Sequence, residues 1–146
     1  MISAIPKLTT TYYFKENDLI TFQLKAKNND SSKTISNIVL KISSVWLTLT
    51  NANITVGTER FDSTNGIVSN IASFSKSTLA SGKTLTAEID GRVKVGITPL
   101  ANLNLELNAT YTIDSTNKLS AGVKSSPIVY GVFPEVNVTK GSVGMC

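Results

Sequence analysis

Residues 79–95 read Leu79-Ala80-Ser81-Gly82-Lys83-Thr84-Leu85-Thr86-Ala87-Glu88-Ile89-Asp90-Gly91-Arg92-Val93-Lys94-Val95. A turn from Ala80 to Lys83 is followed by unbroken alternation. Leu85, Ala87, Ile89, Gly91, Val93 and Val95 fall on one side. Thr84, Thr86, Glu88, Asp90, Arg92 and Lys94 fall on the other. Successive side chains of a strand point to opposite faces, so this stretch predicts a strand with one buried face and one wet face. The rest of the chain reads as further strands that cover the apolar side.

Outward from this strand the same period recurs. Leu19 to Lys27 places Ile20, Phe22, Leu24 and Ala26 inward. Ile35 to Ser43 places Ile38, Leu40 and Ile42 inward, and Val45 to Thr50 continues with Val45, Leu47 and Leu49. Trp46 stands out of phase with those three and reads as core or rim. Leu103 to Ile113 alternates throughout, with Leu103, Leu105, Leu107, Ala109, Tyr111 and Ile113 inward. Shorter strands are predicted at Leu8 to Phe14, Ile54 to Thr58, Ile67 to Phe74, Ile128 to Phe133 and Glu135 to Lys140. Asn65-Gly66 is the strongest short hairpin signal, and Asp114 to Asn117 reads as a turn. Short strands separated by frequent turns, with no sustained helical period, predict an all-β antiparallel sandwich. Residues 1–14 are expected to form an N-terminal arm and first strand, 15–133 the sandwich, and 134–146 a C-terminal tail.

Composition narrows the function. The chain has 146 residues, enough to bury a core without disulfides. About a third of it is Ser, Thr and Asn, which suits exposed sheet faces. The net charge is +4, yet the basic residues are scattered from Lys7 to Lys140 with no run of three. A phosphate-tracking groove would cluster them among aromatics, so no specific nucleic-acid partner is expected. Cys146 is the single cysteine and cannot form an internal disulfide. Pro6 and Lys7 interrupt the apolar start, so neither a leader nor a membrane-inserting segment is expected.

The chain contains no histidine, which removes the commonest general base and the commonest zinc ligand. The carboxylate pairs Glu88/Asp90 and Glu59/Asp62 have the proximity that acid–base or calcium chemistry asks for. Beside Arg92 and Lys94, however, the first reads as a solvated strand face. Gly82-Lys83-Thr84 lacks the upstream glycine of a phosphate loop and leads into a strand. No catalytic set, metal site or cofactor is expected. The candidate contact residues are the aromatics Tyr12, Tyr13, Trp46, Tyr130 and Phe133. Binding carbohydrate would require such rings to form a flat strip.

The turn and strand LASGKTLTAEIDGRVKVG resemble the second half of the domain-of-unknown-function 11 repeats of bacterial and archaeal surface proteins. LITFQLKAKNND, ISNIVLKIS and LNLELNATYTI resemble other strands of that repeat, so the resemblance covers residues 15–114. SSVWLTLTNANI stands where the family carries an Asp-x-Leu-Pro motif. The resemblance implies an immunoglobulin-like sandwich, here with extended N- and C-terminal arms, used as a spacer, decoration or adhesion module without catalysis. With no leader expected, it also suggests a virion protein assembled in host cytoplasm. Such a protein is a capsid decoration, auxiliary capsid or tail component of a bacteriophage, repeated on a lattice and bound to other virion proteins or to its own copies. The alternative is a cell-surface or adhesion module that binds surface polymer or carbohydrate.

Overall fold

The computed structural model describes residues 2–6, 13–96, 103–124 and 129–130. Eleven strands run through them in chain order: β1 Ile2–Pro6, β2 Tyr13–Phe14, β3 Leu19–Lys27, β4 Ile35–Ser43, β5 Leu47–Ile54, β6 Ser63–Val68, β7 Ile71–Leu79, β8 Thr84–Val93, β9 Glu106–Ile113, β10 Thr116–Lys124 and β11 Val129–Tyr130. One sheet has the order β1-β3-β8-β5 and the other β10-β9-β4-β7-β6, all neighbours antiparallel. A short parallel pair, β2 with β11, forms a separate two-stranded ladder.

The alternation of the organising strand is realised as a core. Leu85, Ala87, Ile89 and Val93 of β8 are buried, facing Ile20, Phe22, Leu24 and Ala26 of β3 on the same sheet. From the other sheet come Ile38, Leu40 and Ile42 of β4, Ala72 and Phe74 of β7, and Leu107 and Ala109 of β9. Burial of a large apolar side chain contributes roughly 1.5–3 kcal/mol, so this two-sided layer dominates stability. Gly91 lies in the same inward row, and a Cβ there would stand 3.2 Å from Leu47 Cβ. The glycine therefore lets β5 and β8 pack closely.

Three bulges explain where simple alternation misleads. Asn37, at φ 51°, lies in a register shift of β4 against β9, which lets both Ile35 and Ile38 face inward though three residues apart. Thr50 is the extra residue of β5 against β8, so the inward set changes from Leu47 and Leu49 to Ala52 and Ile54. One bulged strand thus replaces the two short strands expected over Val45 to Thr58. Asn65 and Gly66 form a bulge in β6, with Gly66 at φ 73° and its N–H donated to Thr64 Oγ1.

The expected hairpin at Asn65-Gly66 is instead made four residues later. Ser69 and Asn70, at φ 51° and 59°, form the two-residue turn between β6 and β7, inside what reads as one strand in the sequence. Two consecutive left-handed residues match the twist of a tight hairpin, and Asn tolerates that conformation better than most side chains. Asp114 and Ser115 repeat the device between β9 and β10 at φ 52° and 60°. At the N-terminus, Ile2–Pro6 forms an edge strand on β3, where the sequence reading places a loose arm.

The sandwich has two distinct ends. The upper end gathers the start of β3, the β4–β5 and β6–β7 turns and the end of β8. The lower end gathers the β3–β4 loop, the β7–β8 turn and the β9–β10 turn. Ile2 lies opposite Ala26 at the lower end, while Lys124 lies opposite Glu106 at the upper end. Between Ile2 and Lys124 the chain therefore enters the two sheets at one end and leaves them at the other.

Candidate binding surfaces

One member of each carboxylate pair, Asp90 and Asp62, ties strands together. Asp90 accepts a hydrogen bond from the Thr21 hydroxyl at 2.7 Å, tying β8 to β3 on the outer face. Arg92 donates from Nη1 to the Asn17 carbonyl at 2.9 Å. Asp62 accepts from the Ser77 backbone N–H at 2.9 Å and from Lys76 Nζ at 3.1 Å. These donors, the backbone N–H first, hold its carboxyl below the usual aspartate range. Asp30 is lowered in the same direction by the backbone N–H groups of Ser32 and Lys33. Lys33 in turn pairs with Asp114, and that hydrogen bond raises the ammonium above its ordinary value. Among the described residues no group of acids or thiols has the geometry to hold a metal.

Two asparagines organise the ends, and nothing in the sequence distinguished them from other turn formers. At the upper end, Asn70 Oδ1 accepts from Leu49 N–H at 2.8 Å. Its Nδ2 donates to the carbonyls of Leu47 at 3.0 Å and Ser44 at 3.2 Å. The β6–β7 turn is thereby fastened to β5 across the two sheets. At the lower end, Asn28 is buried and donates to the carbonyls of Lys33 and Leu79 at 2.8 and 3.0 Å, while accepting from Asp30 N–H. Asn28 N–H also bonds Lys83 O, and Gly82 N–H bonds Asn28 O. Ser-, Thr- and Asn-rich loops carry such side-chain-to-backbone bonds readily.

Of the predicted aromatic contacts, Tyr13, Trp46 and Tyr130 fall within the described residues. Trp46 is half-buried against the core, in the β4–β5 turn, with its carbonyl accepting from Lys94 N–H. Tyr13 pairs through its backbone with Val129, and Tyr130 with Phe14. Tyr12, Phe133, Glu135 to Lys140 and Cys146 lie outside the described residues.

The surfaces that stand out are aliphatic. Leu19, Val45, Val68, Ile71 and Val95 are exposed large apolar side chains, and all five belong to the upper end. Val68 and Ile71 flank the Ser69-Asn70 turn, and Ile71 lies beside Ser43, two residues from Val45. Val95 is 71% exposed, contrary to the inward place alternation gave it, because β8 ends at Val93. Val45, 62% exposed, departs from its expected inward place for the same reason: β5 begins only at Leu47. The lower end carries a cavity of about 300 Å³ between the sheets. Ile35, Ile38, Leu79, Leu85, Tyr111 and Ile113 line it, and the loop from Lys27 to Asp30 rims it.

No family model matches the chain, and no curated protein matches it. Solved structures do. The chain is similar to BcpA, the major pilin subunit of Bacillus cereus, with a TM-score of 0.59 and 11% identity over 89% of this chain and 39% of the pilin. It thus spans about two-fifths of that protein. It is also similar to the collagen-binding subdomain of the Enterococcus faecalis surface protein ACE, with a TM-score of 0.52 and 9% identity over 86% of this chain and 92% of the subdomain. At these identities the likeness is one of fold: the chain is an immunoglobulin-like antiparallel β-sandwich, an architecture it shares with pilin and adhesin domains.

Proposed function

We propose that this domain is a non-catalytic module of a cell-surface protein, serving as a spacer or adhesion unit that binds other proteins or surface polymer. The observation that carries this reading is the path of the chain. It enters the two sheets at the lower end at Ile2 and leaves them at the upper end at Lys124, before β11 pairs with β2, a path that suits a unit linked in series. The sandwich shared with pilin and adhesin domains supports the reading, and the resemblance of residues 15–114 to surface repeats belongs to it. The acids with bonds described above tie strands and turns together, which suits a structural module better than a hydrolase. The virion assignment has no support beyond the fold itself, so the surface module is preferred.

The test is peptide mass spectrometry of two fractions from the source cells, the envelope and density-banded virus particles. Recovery in the envelope is expected. Stoichiometric recovery in particles, with none in the envelope, overturns the proposal in favour of a capsid or tail component.

A further inference from the structure

The space at the lower end comes from small side chains. Ala26 closes the inward row of β3 after Ile20, Phe22 and Leu24, and Ala109 follows Leu107 on β9. Both line the cavity of about 300 Å³, one from each sheet. Protein interiors are otherwise close-packed, with few voids larger than a water molecule. The remaining walls are aliphatic and buried: Ile35, Ile38, Leu79 and Leu85. An apolar cavity of roughly half this size accepts a benzene ring, so this one has room for a chain of roughly eight to ten carbons.

The rim is polar and fixed. Asn28 donates to the carbonyls of Leu79 and Lys33, and its backbone bonds Lys83 and Gly82. The β3–β4 loop is thereby tied to the β7–β8 turn, so the cavity is pre-formed, as small-molecule sites usually are. Lys27 and Asp30 bring one charge of each sign to the rim, which selects neither an anionic nor a cationic head. The buried walls hold no charged group, so a charge carried inward would lose its hydration without a partner. We infer that this cavity is a binding site for a neutral amphiphile, its aliphatic chain lying between the sheets and its hydroxyl-bearing head at the Lys27–Asp30 loop. This inference goes beyond the surface-module reading and does not depend on it.

Methyl-detected NMR titration of the full chain with 1-hexanol, 1-octanol and 1-decanol tests this. Saturable shifts are expected at Ile38, Leu79 and Leu85, with Leu47 at the upper end unmoved. Affinity is expected to rise about fourfold per added methylene, so roughly fifteenfold from hexanol to octanol. Octanoate and octylammonium at pH 7 are expected to bind more weakly than octanol. Ala109→Leu fills the cavity and is expected to weaken octanol binding at least about tenfold while keeping a cooperative melting transition. Ala26→Val provides a second filling variant should Ala109→Leu fail to fold. Shifts that do not saturate, affinity independent of chain length, tighter binding of either charged analogue, or undiminished binding to a folded filled variant each overturns the inference.

Discussion

Replacing Asn70 tests how the upper end is held. Its side chain makes three hydrogen bonds to the backbone of Ser44, Leu47 and Leu49 at 2.8 to 3.2 Å. A hydrogen bond of this kind contributes a net ~0.5–1.5 kcal/mol, and a desolvated backbone group left without a partner costs ~1–3 kcal/mol. Asn70→Gly keeps the left-handed backbone at φ 59° free of steric cost while deleting all three bonds. Since solvent can satisfy part of the exposed turn, the expected loss is about 2–4 kcal/mol. For a domain of this size each kcal/mol lowers the melting temperature by about 2–4 °C, so a fall of roughly 4–16 °C follows. Asn70→Ala should be worse again by roughly 1–2 kcal/mol, because its Cβ opposes the left-handed conformation. Calorimetry of the three proteins measures both steps. A glycine variant that melts within about 2 °C of the parent would refute the claim that this side chain fastens the hairpin to β5.

Gly91→Val should lower stability by about 1–3 kcal/mol in urea titrations, because the added carbons enter a space where even a Cβ stands 3.2 Å from Leu47; an unchanged midpoint would count against that close approach. Removing residues 1–7 should reduce the melting temperature while leaving a cooperative transition, since the five residues Ile2 to Pro6 all pair with β3; no change would mean that edge strand is dispensable. The lowered carboxyl of Asp62 stabilises the fold above its unfolded value near 3.8 and loses that contribution as pH falls through the folded value. The stability difference between the parent and Asp62→Asn should therefore be full at neutral pH and shrink below about pH 4; a difference constant down to pH 2 would show that the charge is not what matters. Lys33 runs the other way, its stabilisation held below its unfolded value of 10.5 and lost as pH rises through the raised folded value, which Lys33→Met should abolish.

The sequence and the structure agree best in β3 and β8. β3 and β8 alternate without a slip, and each inward residue named from their pattern is buried, save Val95 beyond the strand end. Alternation reports the face of a residue but not where a strand stops, which is why Val45 and Val95 were read as core and emerge as surface. It also assumes a fixed phase, and bulges at Asn37, Thr50 and Asn65 each shift that phase by one residue. Asn65-Gly66 carries the composition of a hairpin turn, but a bulge needs the same left-handed glycine, and the choice is made by the pairing of Val68 with Ile71. The roles of Asn28 and Asn70 depend on carbonyls up to 51 residues away, which no local pattern encodes. The lower-end cavity likewise exists only once both sheets are assembled.

The path of the chain has a mechanical consequence. β1 runs from the lower end toward the middle of β3, and β10 runs from the lower to the upper end along β9. Tension applied at Ile2 away from the lower end pulls β1 along its own axis against β3. The five residue pairs of that ladder then bear the load together and are not peeled one at a time. Tension drawing Lys124 away from the upper end shears β10 against β9 in the same sense. A ladder loaded in shear must break several hydrogen bonds in one step, so its resistance is set by the rate of a cooperative rupture and not by equilibrium stability. Loaded at Ile2 and at Lys124, both ladders lie along the line of force and resist extension in shear.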